Sequence, residues 1–315
     1  MPALHLTVAV CTWNRSAQLA RALEQMTRLV IPRDVTWELV IVNNRCTDET
    51  DVVIASFKTR LPIRRAFEPT PGLSNARNRA LQESSGEYIL WTDDDVFVTE
   101  HWLEGYVRAF QRWPEADVFG GPIEPLFEGE PPRWVLRVLD QIGPVFGRQT
   151  FGNMPVPLAA DQVSTGPYGG NFVVRKRVLP TRAFSESLGV RHGVYALGEE
   201  TEVIRGLLAS GLSGWWTPEP LVRHWIPQSS QTLDHVRQWM VACGQYEFTQ
   251  LSSASLSQLR YYWEYVRLIG HETSFRLTRY LTPPEFWIRD IVGASKARGA
   301  ILSHRMRTCR NHVSI

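Results

Sequence analysis

Near-continuous runs of aliphatic and β-branched residues open the chain at 4–11 (Leu-His-Leu-Thr-Val-Ala-Val-Cys) and 37–42 (Trp-Glu-Leu-Val-Ile-Val). Apolar positions on both faces are what a strand buried on both sides requires, so both runs read as central strands. Between them Leu19, Leu23, Met26 and Val30 recur at three- and four-residue spacing behind Ser16, a pattern that predicts a helix capped by the serine hydroxyl. The alternation continues with a helix over 51–61, a strand over 63–67, a helix over 74–83, a strand over 87–91 and a helix from near Glu100. Such alternation predicts an α/β fold with a mostly parallel, helix-covered sheet, whose ligands collect at the carboxyl ends of the strands.

Beyond a strand at 117–121, residues 122–168 turn rich in Pro, Gly and isolated aromatics and read as a partly ordered flap. An extended segment at 169–175, a helix over 199–210 stopped by Gly211 and a strand at 221–225 follow. From Thr232 the pattern is helical, with breaks expected near Gly270 and Pro283-Pro284.

With 315 residues, 43% of them hydrophobic, the chain can form one large α/β domain with an appendage, or two small domains. No run approaches the roughly 20 apolar residues of a membrane span, and the first residues lack the layout of a signal peptide, so a cytoplasmic chain is expected. Cys11, Cys46, Cys243 and Cys309 are scattered and read as reduced thiols. A formal charge of +2 excludes a strongly electrostatic nucleic-acid binder. That charge is uneven: 11 Arg or Lys against 6 Asp or Glu from Gln231 onward leave an acidic body and a basic tail.

Candidate chemistry sits where predicted strands end. Asp93-Asp94-Asp95 closes the run Glu87 to Thr92, and alternation lets Asp93 and Asp95 converge on one side as hard oxygen ligands for Mg²⁺ or Mn²⁺; the ordinary reading is a solvated acidic turn. Thr12 and Asn14 in Thr12-Trp13-Asn14-Arg15 read as contacts to a base or ribose, or as helix caps. Asn43-Asn44-Arg45 is either a base-reading pair or a turn. Arg77, at a helix start, can fork onto a phosphate or stand solvated. Glu199-Glu200-Thr201-Glu202 supplies either a general base or first-turn acids that complement a helix dipole. His224 reads as a strand histidine or a metal contact.

In order and spacing these segments, with Pro71 to Asn78 and Gly169-Gly170-Asn171-Phe172, resemble the family 2 inverting glycosyltransferases over roughly residues 4–225. The resemblance implies a GT-A, Rossmann-like fold: a mixed, mostly parallel sheet covered by helices, with a C-terminal helical extension. It implies a catalytic domain over 1–230 (nucleotide-sugar-binding half 1–121, acceptor half with flap 122–230) and the extension over 231–315. The donor is then a nucleotide-diphospho-sugar, UDP-linked in the family, and the cofactor Mn²⁺ or Mg²⁺. Donor contacts fall to Thr12, Asn14, Arg15, Asn43, Asn44, Arg77, Asp93 and Asp94, metal contacts to Asp95, Asp93 and His224, and base catalysis to Glu200, with its neighbours Glu199 and Glu202 as alternatives. The acceptor, a glycan, lipid-linked or other hydroxyl, is expected near Gly170 and Asn171, with Tyr168, Trp215 and Trp216 able to stack on sugar faces. Two departures stand out: Glu200 where the family has Asp, and Asn43 where Asp is common. A catalytically silent scaffold subunit of a glycan assembly complex is the competing reading. For the tail at 286–310, an apolar stripe beside Arg305, Arg307 and Arg310 is expected either to pack on the rest of the protein or a partner, or to lie on an anionic membrane surface.

Overall fold

A computed structural model describes residues 4–160, 167, 169–190, 197–251 and 257–313, so Tyr168 lies outside the described residues. These fall into two compact units, the second comprising Phe127–Phe146 and the chain from Ile226 onward.

The first unit is built on strands β1 (Leu4–Thr12), β2 (Val35–Asn43), β3 (Ile63–Phe67), β4 (Tyr88–Asp93), β5 (Val96–Val98), β6 (Val118–Gly120), β7 (Ile123–Phe127), β8 (Val156–Pro157), β9 (Phe172–Arg175), β10 (Gly214–Trp216) and β11 (Val222–Ile226). Eight of them form one sheet in the order β3-β2-β1-β4-β9-β6-β10-β8, while β5-β11-β7 form a second, three-stranded sheet. β1, β2, β3 and β4 run parallel, and β9 inserts antiparallel between β4 and β6, making the sheet mixed.

Helices α1 (Ser16–Met26), α2 (Thr50–Phe57), α3 (Leu73–Glu83), α4 (Trp102–Arg112) and α6 (Glu199–Ala209) cover it. The strand period of two divides β1 between the faces. Leu6, Val8 and Val10 pack with Leu19 and Leu23 of α1, Ile54 of α2 and Trp102 of α4, whereas Ala9 packs with Ala76 and Ala80 of α3 and Ile204 of α6.

Several details differ from the sequence reading. Ser16 is the first residue of α1 and not its cap; its N–H donates instead to Asp48 Oδ2, 2.9 Å away and 32 residues on. Val30 lies past the end of α1 and is exposed. The flap region contains α5 (Arg133–Ile142), whose Val135, Val138 and Ile142 form a buried stripe.

In the second unit α5 joins α7 (Leu233–Leu251), α8 (Ser257–Thr278) and α9 (Pro284–Val313). α8 runs through Gly270 unbroken. α7 and α9 approach backbone to backbone: a Cβ on Gly299 would lie 2.1 Å from the Val241 carbonyl oxygen. The apolar stripe of the tail, Trp287, Ile288, Ile291, Ala294, Ala297, Ala300 and Ile301, is buried. The apolar stripe of the tail thus packs within the bundle, one of the two arrangements expected for 286–310.

Candidate active site

Parallel register sets the site. Thr12 at the end of β1 stands beside Asn43 of β2, and Cys11 stands beside Asp93 of β4. The chain leaves β4 through Asp94 and Asp95 into β5, which pairs antiparallel with β11 so that Val96 faces His224. The Trp225 N–H donates to the Asp95 carbonyl at 2.8 Å, and His224 Nε2 lies 3.5 Å from Asp95 Oδ1. A cleft of about 220 Å³ opens here, lined by Thr12, Trp13, Arg15, Asn44, the three aspartates, His224 and the Pro71-Gly72-Leu73 turn.

Opposite charges hold the carboxylates together. Arg15 Nη1 reaches Asp94 at 3.1 Å and Asp95 at 2.8 Å from a half-exposed position. Arg77 is buried and sits 2.8 Å from Glu199, 3.6 Å from Glu200 and 3.6 Å from Asp93. Phe172 and Phe184 lie against its guanidinium. Gly169 admits this packing, since a Cβ there would stand 2.2 Å from Arg77 Nη2, and its N–H donates to Glu200 Oε1 at 3.3 Å. A Cβ on Gly170 would stand 3.5 Å from Asp93 Oδ2, placing that glycine beside the cleft floor.

Burial pushes the Asp93 carboxyl up, with Arg77 pulling it back. It pushes Asp94 up to about 7 against the attraction of Arg15. At Asp95 the same burial is outweighed by His224 and Arg15 together, which bring the carboxyl down to about 2 and favour an ionised oxygen ligand. Burial, with the charge of Glu200 adding to it, pushes Glu199 up to about 8. Cys11 is raised by burial to about 12 and stays a thiol.

Several expected contacts find other partners. Asn44 accepts from the Gly72 N–H at 2.9 Å and donates to the carbonyls of Glu68 and Thr70 at 3.1 and 2.8 Å, so its amide NH₂ is already engaged in shaping the cleft wall. Asn43 bonds Asp51 and the Cys46 N–H, a turn role. Asn14, at φ 51°, accepts from the Thr47 N–H at 2.7 Å. Asn171 is fully buried: it accepts from Trp102 Nε1 and the Tyr106 hydroxyl and donates to the carbonyls of Pro122 and Pro220. That removes it from an acceptor's reach. Trp216 is equally buried and presents no ring face to a sugar, while the partly buried Trp215 has one ring face stacked on Trp113 at 4.4 Å. Arg77 is enclosed by carboxylates and aromatics, so its guanidinium is held in place by Asp93, Glu199, Glu200, Phe172 and Phe184 and does not line the cleft.

Sequence reading passed over Trp13, Leu73 and Asp48. The first two line the cleft, and Asp48, whose Asp-x-Thr spacing to Thr50 is a capping signature, ties the loop after β2 to α1.

Among the described residues no group of three or more His, Cys, Asp or Glu is arranged to hold a metal ion unaided. The donor chemistry still fits a hard divalent cation: Asp95 and His224 adjoin, Asp93 lines the same cleft, and a guanidinium already rests against two of the carboxylates. Two or three protein ligands suffice where substrate phosphates and water complete the shell.

A family model described as glycosyl transferase family 2 matches residues 7–181, more than half of the chain. The chain belongs to that family. It is a glycosyltransferase, similar to the succinoglycan biosynthesis protein ExoM of Rhizobium meliloti (strain 1021), with 24% identity over 279 residues that span 87% of this chain and 84% of ExoM. Among solved structures it resembles TarS 1–349 of S. aureus in complex with UDP, at TM-score 0.52 and 13% identity over 96% of this chain and 92% of that one. It also resembles the mannosyltransferase PcManGT of Pyrobaculum calidifontis in complex with GDP-Man and Mn²⁺, at TM-score 0.50 and 16% identity over 98% and 75%. At such identities these two likenesses establish the GT-A-type fold of the glycosyltransferase. Glu199, Glu200 and His224 lie beyond the family match.

Arg77→Met in the glycosyltransferase is expected to lower folding stability by about 3–5 kcal/mol, because it strands buried carboxylates without their cation. Urea unfolding followed by circular dichroism measures this, and an unchanged midpoint contradicts that expectation.

Proposed function

We propose that this glycosyltransferase moves a sugar from a UDP-linked donor to a hydroxyl of a glycan or lipid-linked acceptor, with inversion, as a step in polysaccharide or glycoconjugate synthesis. The observation that carries the proposal is the convergence of Asp93, Asp94, Asp95 and His224 on one cleft, with Glu200 joined to Asp93 through a single guanidinium. The name of ExoM and the UDP and GDP-Man complexes of the structural relatives support it.

Thr12 and Asp93 border the ribose and diphosphate, and Trp13 offers its ring to the base. Asp95 and His224, with Asp93 beside them, would hold Mn²⁺ or Mg²⁺, which would supply positive charge to neutralise the diphosphate leaving group. Arg15 exchanges its aspartate partners for diphosphate oxygens as the donor enters, a movement its half-exposed position permits. Glu200 takes the proton of the acceptor hydroxyl. It is the better placed of the two glutamates, because Glu199 is buried against Arg77 at 2.8 Å while Glu200 keeps 15% of its side chain exposed.

A panel of nucleotide sugars incubated with Mn²⁺ tests the reading: one uridine-linked donor is expected to yield UDP above background, and faster with its acceptor. Tight donor binding without diphosphate release from any donor would assign the chain to the silent scaffold class.

A further inference from the structure

The outward face of α8 is apolar, although its inward face already packs the bundle. Leu259, Tyr262, Trp263, Val266, Ile269 and Leu277 are all exposed, and Tyr280, Leu281 and Phe286 continue the patch around the turn into α9. At 100° per residue the helical members occupy a sector of about 120°, opposite the buried Glu264 and Phe275, over a length of about 30 Å. Exposure reaches 77% at Leu259, 79% at Tyr280 and 83% at Leu281, well beyond incidental surface apolarity.

Charge identifies the occupant. From residue 258 to residue 289 the exposed ionisable side chains are Arg276, Arg279 and Arg289. All four carboxylates of α8 and the first turns of α9 are drawn inward and engaged: Glu264 with Arg267 at 3.0 Å, Glu272 with Arg298 at 3.2 Å, Glu285 with Arg137 at 2.8 Å and Asp290 with Ser274 at 2.6 Å. A face of leucine and aromatic rings edged by arginines and cleared of acids is complementary to an anionic lipid surface. Rings and leucines enter the acyl boundary while guanidinium groups stay at the headgroups. A second copy of the same face would set Arg276, Arg279 and Arg289 against like charges. No helix among the described residues is long and apolar enough to cross a membrane, so the helix lies in the interface plane.

We propose that the outward face of α8, with the α8–α9 turn, docks this glycosyltransferase on an anionic phospholipid bilayer. Docking of this kind does not depend on the donor chemistry and is read without an activity assay.

Flotation of the full chain with phosphatidylcholine vesicles, with and without about one-third phosphatidylglycerol, tests it. Binding is expected to the anionic vesicles and to weaken as salt rises. Leu277→Asp with Leu281→Asp is expected to lower binding at least tenfold, and Arg276→Glu with Arg289→Glu to remove the preference for phosphatidylglycerol; all four positions are exposed, and circular dichroism like that of the wild type verifies the fold. Wild-type protein that never floats overturns the proposal, as does flotation that survives both leucine substitutions in a folded variant. A dimer seen by sedimentation that the leucine substitutions dissolve, without vesicle binding, reassigns the face to a second copy.

Discussion

Asp95→Ala is expected to reduce sugar transfer at least 10³-fold while leaving thermal unfolding nearly unchanged. The activity loss follows from its role: Asp95 is the carboxylate that His224 and Arg15 keep ionised at the cleft, and a hard cation bound there loses its principal protein oxygen. Stability holds because the substitution also relieves crowding among three aspartates, and the partner it deserts, Arg15, is half exposed and can turn to water. Steady-state kinetics with a melting curve on the same sample checks both halves. Full turnover in the variant, or wild-type turnover indifferent to EDTA, contradicts the assignment.

Glu200→Gln is expected to lower kcat by roughly 10²–10⁴-fold with donor affinity within a few-fold of wild type, since proton transfer is lost while the donor cleft is left intact. Glu200→Asp should recover part of that loss. Glu199→Gln is expected to behave differently. The Glu199 side chain meets Arg77 at 2.8 Å and does not line the donor cleft, so the first effect of the substitution falls on the unfolding midpoint and not on kcat. Loss of donor binding with unchanged turnover in Glu200→Gln would make that residue structural.

How much of this was legible follows from what each residue depends on. β1, β2, α3 and the aspartate run depend on local pattern, and their boundaries fell within about two residues of expectation. His224 depends on a ladder between the three-residue β5 and a strand more than 120 positions away, so no local period announces its place beside Asp95. Asn171 shows the reverse: Gly-Gly-Asn reads as a loop offering an amide, yet Trp102, Tyr106 and two proline carbonyls enclose it. Arg77 reads as a helix-start cation for phosphate, and only the arrival of α6 across the sheet buries it. Val135, Val138 and Ile142 carried a visible helical period, but the surrounding Pro and Gly content masked it. On α8 the outward apolar residues and the buried Glu264 invert the usual rule, so the sequence pattern did not single out its exposed apolar face.

Calorimetric titration of UDP into the purified chain, once with Mn²⁺ and once with EDTA, bears most directly on the cleft as a metal-assisted nucleotide-sugar site. Saturable binding in Mn²⁺ that weakens at least tenfold in EDTA, and that Asp95→Ala reduces to the EDTA level, is the expected result. Equal affinity in both buffers, or no binding in either, contradicts it.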